Sequence, residues 1–306
     1  MRNAFLQAML EGAAADERVS LLMAETGFSV VEPFQQRFPD RFYNTGIAEQ
    51  DLVSVAAGMA LGGLRPVAYS MSAFLPSRGF EQIKVDVCYQ DLPVVLVSTG
   101  TGLSYGNLGA THHAAEESAL MRALPNLTVF FPACGEELGE MLRYGLKSEH
   151  PTYISMPKAA SPKLPEHQFV PGRPVCYRAG ADGTVFAVGH SVVDALQAAD
   201  SLVGQGIRLG VYGLHTVKPL DTVEICTAAG TGRVFVVEEQ QRSAGVGGDV
   251  ARILLEGGAQ LKTFRSFAVP DQFAGPVLSW QEQAEEYGLS GGRLAQSILD
   301  AVKGTA

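Results

Sequence analysis

Four stretches of this chain carry residues whose type and spacing could do chemistry. In the first, Phe42-Tyr43-Asn44-Thr45-Gly46-Ile47-Ala48-Glu49-Gln50, a carboxylate stands just ahead of an apolar run of small residues, LVSVAAGMALG at positions 52–62. The run carries no charge, which predicts a helix buried on most sides. Glu49 then falls in the first turn, where the helix dipole favours a negative charge. A carboxylate in that place is either a cap or a chemical tool. The second stretch is the glycine-rich loop Gly102-Leu103-Ser104-Tyr105-Gly106-Asn107-Leu108-Gly109-Ala110-Thr111-His112-His113. Its glycines permit unusual backbone angles and close ligand approach. The two histidines could move protons, or could be solvated on a surface loop. Adjacent residues seldom both face one metal and no third ligand is evident, so no metal site is expected. In the third stretch, residues 69–80, Phe74 is a flat aromatic that could stack on a ring ligand or simply fill the core. The fourth, Glu238 to Gly248, is a strand, a Gly-rich turn and a helix. Such a turn could hold an anion. Its glycine spacing does not match a dinucleotide fingerprint, which favours a tight structural turn.

The elements that must position these residues alternate. Residues 4–15 read as a helix, 19–23 as a buried strand, and 24–27 as a turn. A polar and aromatic connection leads to the Glu49 helix. Then come a strand at 66–69, a helix at 78–89 and a strand at 93–98. The glycine-rich loop follows that strand, the usual place for sites in open α/β sheets. A helix at 116–123, a strand at 127–131, a helix at 136–147 and a strand at 152–155 complete the first set. Five prolines between 157 and 174 break the pattern, as an inter-domain linker would. Beyond it strands at 184–188, 208–212, 234–238 and 261–267 alternate with helices at 192–203, 223–229, 249–255 and 293–302. The expected fold class is α/β: two consecutive domains, each a mostly parallel sheet flanked by helices. Their expected bounds are 1–160 and 178–306, joined by a linker at 161–177.

Composition narrows the function classes. The chain has 306 residues, 46% hydrophobic and 18% charged. That suits two domains of about 150 residues each. A net charge of −9 without a dense basic patch argues against a nucleic-acid surface. No apolar run reaches the ~18 residues that would span a membrane. Acidic Glu11, Asp16 and Glu17 make the N-terminal segment an amphipathic helix and not a signal peptide. Cys88, Cys134, Cys176 and Cys226 are far apart, and they read as reduced core thiols of a cytoplasmic protein.

Taken in order, NTGIAEQ at 44–50, the Phe74 stretch, Gly109-Ala110-Thr111-His112-His113 and Leu124-Pro125-Asn126-Leu127-Thr128-Val129 resemble the pyrimidine-binding domain of transketolases. His215-Thr216-Val217-Lys218-Pro219-Leu220-Asp221 and the Glu238-to-Gly248 turn resemble the domain that follows it. Each motif alone is weak, but the ordered set covers nearly the whole chain and is specific. Such enzymes use thiamine diphosphate. A full-length transketolase begins with a domain that binds the diphosphate through magnesium at a Gly-Asp-Gly motif, which this chain does not contain. The resemblance therefore implies the second subunit of a split transketolase. Its N-terminal partner subunit would carry the magnesium ligands, and two copies of each chain would form a heterotetramer.

Residue by residue, the resemblance makes Glu49 the catalytic glutamate. Its hydrogen bond to N1′ of the aminopyrimidine favours the imino tautomer, which deprotonates the thiazolium carbon. Phe74 matches the aromatic that stacks on the pyrimidine ring, and Ile47 and Phe80 are expected beside it at the cofactor. His112 matches the histidine that hydrogen-bonds substrate oxygens. Two departures stand out: Asn107-Leu108-Gly109 replaces Glu-Asp-Gly, and Ser155-Met156 replaces the Ser-Arg that binds sugar phosphate. Leucine and methionine cannot make those polar contacts. The expectation is therefore a two-carbon ketol transfer with a less phosphorylated or otherwise modified acceptor, and with Arg78, Tyr105, Asn107 and His113 as replacement contacts. The beta subunit of a 2-oxoacid dehydrogenase and a deoxyxylulose-phosphate synthase share the cofactor logic and stand as alternatives. A non-catalytic scaffold would have no need of Glu49, Phe74 and His112 together.

Overall fold

The computed structural model describes residues 1–26, 30–273 and 276–304. In chain order its strands are Val19–Met23 (β1), Phe42–Asn44 (β2), Arg65–Met71 (β3), Val95–Thr99 (β4), Thr128–Phe130 (β5), Thr152–Met156 (β6), Val175–Arg178 (β7), Gly183–Val188 (β8), Leu209–Leu214 (β9), Thr216–Lys218 (β10), Arg233–Gln241 (β11) and Thr263–Val269 (β12). They form a seven-stranded sheet, β10-β5-β6-β4-β3-β1-β2, and a five-stranded sheet, β12-β11-β8-β9-β7. Every pairing is parallel except β10 with β5 and β7 with β9. Every position of the central strands β1, β4, β6 and β8 is buried. That is why they read as unbroken apolar runs, since both faces of a parallel sheet are covered by helices.

On one face of the first sheet, helices Arg2–Ala15 and Gly135–Lys147 bury Phe5, Met9, Leu138 and Leu142. On the other, helix Glu49–Leu61 buries Leu52, Val53, Ala56 and Ala60. This second layer runs on without a break into Val234, Val246 and Ile253 of the second sheet's surroundings. One cluster therefore spans the two sheets, while each keeps a core of its own on the other face. No helix among the described residues is long and apolar enough to cross a membrane.

Several expectations change on contact with the structure. Helix Glu49–Leu61 is not buried on most sides, because Ser54, Val55, Gly58 and Leu61 are exposed. Its lack of charge reflects an open apolar face as well as a buried one. The connection before it holds a short helix, Glu32–Arg37, and the edge strand β2, which pairs with β1. The helix expected at 78–89 starts at Leu75 and is interrupted at Gly79. A Cβ at Gly79 would lie 2.9 Å from the Leu75 carbonyl oxygen and 3.2 Å from Val53. The segment then widens over Ile83–Cys88, where Tyr89 N–H donates to the Lys84 carbonyl at 2.9 Å. Strands β7 and β10 and the helix Trp280–Glu286 were not expected. Gly27, at the end of the turn after β1, lies outside the described residues. Of the cysteines, Cys88 and Cys134 are buried and burial pushes their thiols up to about 12. Cys176 is not a core thiol: on edge strand β7 it faces out while Val175 and Tyr177 face in.

No regular element lies between β6 and β7, but this strap is pinned. Phe169 packs on Phe130 and on His215, with ring centres 5.7 and 4.9 Å apart. His167 Nε2 lies 3.1 Å from Oε1 of the buried Glu137, which also accepts from the Tyr177 hydroxyl. Bonding to Glu137 holds the His167 imidazole above its ordinary value. Burial alone would raise Glu137, yet His167, His215, Tyr177 and the Ala133 N–H together bring it below the usual carboxylate range. The contribution of the raised histidine is fully present below its unfolded value, about 6.5, and is lost as pH rises through the folded value. That of the lowered glutamate is present above its unfolded value of about 4.3 and is lost as pH falls through the folded one. His167→Gln should cost about 3 kcal/mol, because it leaves a buried carboxylate short of its cation. The loss should be seen near pH 6 as a lower denaturant midpoint and should shrink above neutrality. An equal loss at pH 6 and pH 9 would refute the ion pair.

Candidate active site

Glu49 opens its helix at the C-terminal ends of the parallel strands, and its side chain is 2% exposed. One oxygen, Oε2, accepts a hydrogen bond from Arg78 Nη1 at 3.0 Å. The same guanidinium lies over Phe74, its carbon 4.4 Å from the ring centre. Phe74 in turn receives the edge of His112, with ring centres 5.3 Å apart. Glu49, Arg78, Phe74 and His112 thus form one continuous set drawn from three distant parts of the sequence. A guanidinium is a planar nitrogen cation, and here it lies over an aromatic ring and bonds a carboxylate. A flat, nitrogen-bearing ring would need the same two contacts: a stack on Phe74 and a carboxylate at a ring nitrogen.

The glycine-rich loop carries His112 to this place. Gly100, at φ +95°, leaves room for Tyr105, because a Cβ there would fall 2.1 Å from the Tyr105 ring. Tyr105 is buried, lies 6.4 Å from His112 between ring centres, and has Lys158 Nζ 4.5 Å above its ring. His112 Nδ1 shares a hydrogen bond with Thr111 Oγ1 at 2.9 Å, which leaves Nε2 to face a ligand. The loop turns back on itself, with Ala114 N–H donating to the Gly102 carbonyl at 2.9 Å.

Not every expected residue joins the set. His113 diverges from His112 and turns toward the second domain, into a small cavity lined by Leu103, Val269 and Tyr287. Burial there lowers its proton affinity, so it is neutral at neutral pH. Phe80 packs against the apolar core. Ile47 is 78% exposed, and Asn107 lies exposed at the loop tip. Met156 is fully buried, while Leu108 is exposed. Among the described residues no group of three or more His, Cys, Asp or Glu side chains is placed to hold a metal ion.

Beneath the loop lies a carboxylate that the sequence did not reveal. Glu117 is 1% exposed. Its Oε2 accepts from the hydroxyls of Tyr153 and Ser155, each at 2.7 Å. Its Oε1 accepts from Thr101 Oγ1 and, at 3.3 Å, from Gly102 N–H. The network continues from Tyr153 to Ser98 at 2.7 Å and on to Ser72 at 2.9 Å. Burial raises the Glu117 carboxyl above its ordinary value, against the pull of the Ser155, Thr101, Tyr153 and Gly102 bonds. Its only trace in the sequence is an acidic pair at a helix start, the commonest of surface features.

The Glu238-to-Gly248 turn is filled by its own carboxyl group. Glu238 is fully buried and accepts from Val246 N–H at 2.8 Å and Gly247 N–H at 2.9 Å. A Cβ at Gly245 would sit 2.4 Å from this carboxylate. The turn is therefore structural, with the Val246 and Gly247 N–H groups already taken by Glu238.

With the geometry in place, comparison with known proteins agrees with it. Residues 1–163 match the model of the transketolase pyrimidine-binding domain, and residues 173–293 that of the transketolase C-terminal domain. A protein of Actinobacillus succinogenes, named as one of the subunits of apulose-4-phosphate transketolase, is 35% identical over 264 residues, covering 85% of this chain and 84% of that protein. A 1-deoxy-D-xylulose-5-phosphate synthase of Thermomicrobium roseum is 38% identical over 279 residues, but this chain spans only 44% of its length. A solved chain described as a split-gene transketolase, an inactive beta4 tetramer, superposes with a TM-score of 0.90 at 32% identity, covering 99% of this chain and 98% of that one.

Proposed function

Since the chain belongs to the transketolase family, which works with thiamine diphosphate, we propose that it is the second subunit of a split transketolase-like enzyme. It takes part in moving a two-carbon ketol unit from a ketose to an aldehyde. The observation that carries this reading is the Arg78 guanidinium held between Glu49 and Phe74, the two contacts an aminopyrimidine ring requires. Glu49 and Phe74 would hold the aminopyrimidine ring of thiamine diphosphate, which would supply a carbon nucleophile at this site. Glu49 holds a proton at the ring nitrogen, in a water-poor position where the first-turn dipole also favours its negative charge. Phe74 fixes the plane of the ring. His112, steadied by Thr111, presents Nε2 to a substrate oxygen. A ring stacked on Phe74 would take the place of the Arg78 guanidinium, whose half-exposed side chain could then reach substrate. Tyr105 lies beside that path. Ile47 and Asn107, both exposed, are open to the partner, whereas Phe80 packs on this chain's own core.

The partner follows from what this chain leaves bare. Ile47 just ahead of the Glu49 helix, Val55 and Leu61 on it, and Val85 and Tyr89 on the neighbouring 83–89 segment are exposed large apolar side chains. The two elements are joined by Ser54 Oγ donating to Asp86 at 2.8 Å. A face of this kind suits burial by another chain. We assign to that chain the diphosphate-binding domain with its magnesium ligands, in a two-plus-two assembly. For the substrate, the relative named for apulose 4-phosphate makes that ketose phosphate the first donor to test, in keeping with the replaced Glu-Asp and Ser-Arg positions.

Reconstitution tests the reading. The chain is mixed with a candidate partner bearing Gly-Asp-Gly, and ketol transfer from apulose 4-phosphate and from xylulose 5-phosphate is followed with thiamine diphosphate and magnesium. Turnover that needs both chains is expected. A chain that binds no such partner and yields no transfer with any ketose phosphate would end the proposal.

A further inference from the structure

The loop that carries His112 is held from the second domain, by side chains that do not touch the reaction. Leu103 N–H donates to Glu239 Oε2 at 3.2 Å, and Trp280 Nε1 donates to Glu239 Oε1 at 2.7 Å. The contact is close: a Cβ at Gly102 would lie 2.6 Å from that of Glu239. Further along, a Cβ at Gly106 would lie 2.7 Å from the Leu278 carbonyl oxygen, just before Trp280. The next residues of β11 hold the far end of the loop, with Gln240 accepting from Ser118 N–H at 3.1 Å and Gln241 N–H donating to the Ala115 carbonyl at 2.8 Å. We propose that Glu239, braced by Trp280, is a positioning residue that fixes the Gly102–His113 loop, and with it His112, against the Glu49–Phe74 site.

The residue type fits this task. Both partners of Glu239 are N–H donors, and a carboxylate offers an acceptor to each. Glutamine has the same shape but only one acceptor, so its amide would confront one of the two N–H groups. Burial pushes the Glu239 carboxyl up to about 7, against the Trp280 and Leu103 bonds. Asp194 and Glu117 are carboxyl groups that push the same way when ionised. His190 lies on Trp280 with ring centres 4.9 Å apart and is kept neutral by burial. Glu239 is therefore ionised, with both acceptors available, above pH ~7, and its clamp slackens below it.

The inference about His112 rests on the proposed function, but the clamp can be tested without it. Trp280 is the only tryptophan of the chain, so the emission of the whole chain, alone in solution, reports on Glu239. The wild type should show an emission transition near pH 7 that Glu239→Gln abolishes. Leu103 and its loop neighbours should exchange amide hydrogens about tenfold faster in Glu239→Gln, the size of one lost hydrogen bond. With the partner present, turnover should fall about tenfold while half-saturating cofactor concentration stays put. An unchanged transition in Glu239→Gln would overturn the part Glu239 ionisation plays in the clamp, and unchanged loop exchange would overturn the clamp itself. If Glu239→Gln does not fold, Trp280→Phe takes its place, with loop exchange expected to rise severalfold and an unchanged rate again overturning the clamp. Failure of ketol transfer in the wild type would remove the proposed function and leave the exchange result standing.

Discussion

In the assembled enzyme, Glu49→Gln is expected to lower turnover about a thousandfold, within the range of a lost proton-transfer group. The substitution keeps the size of the side chain and takes away its charge and its proton affinity. Phe74 remains to hold a ring, so cofactor binding should weaken far less than turnover. Folding should be little affected, because Arg78 is 46% exposed and water can solvate its freed guanidinium. A turnover within tenfold of wild type, in a reconstituted enzyme of unchanged melting temperature, would show that Glu49 is a cap and nothing more.

The second large effect concerns stability. Glu117→Ala should cost about 4 kcal/mol, because it strands several buried donors at once, each worth ~1–3 kcal/mol when unsatisfied. The stranded groups are the hydroxyls of Tyr153, Ser155 and Thr101 and the Gly102 N–H. Glu117→Gln should cost much less. Burial already favours the uncharged carboxyl, and the hydroxyls can rotate to meet an amide. Because the folded-state pKa is raised, this group favours the folded state below its unfolded value of about 4.3, and that contribution is lost as pH rises through the folded value. Glu117→Gln should therefore flatten the pH dependence of the denaturant midpoint above that point. A Glu117→Ala protein as stable as wild type would mean that water replaces the carboxylate.

What could be read ahead of the structure follows from range. The strands β1, β4, β6 and β8 are local apolar runs, and a residue's place in such a run depends only on its neighbours. The β2, β7 and β10 strands escaped because each is three or four residues long and sits on an edge, where one partner suffices and no long apolar run is needed. Helix Glu49–Leu61 was placed correctly but judged too buried. A pattern without charge is the same whether the second apolar face meets this chain or another.

By itself, the sequence determined the α/β alternation and the resemblance to transketolases, and it offered Glu49, Phe74 and His112 as candidates, because each rests on short motifs in a fixed order. Only the tertiary structure decided that His112 and His113 part company, since adjacent side chains on a tight loop point to different domains. Only it revealed Arg78 resting between Glu49 and Phe74, which joins side chains 29 residues apart. Glu117 and Glu239 could not be read from the sequence at all. A buried carboxylate has the same letter as a solvated one, and its partners lie 15 to 136 residues away along the chain. The fold brings them together, and burial then gives them the properties that matter.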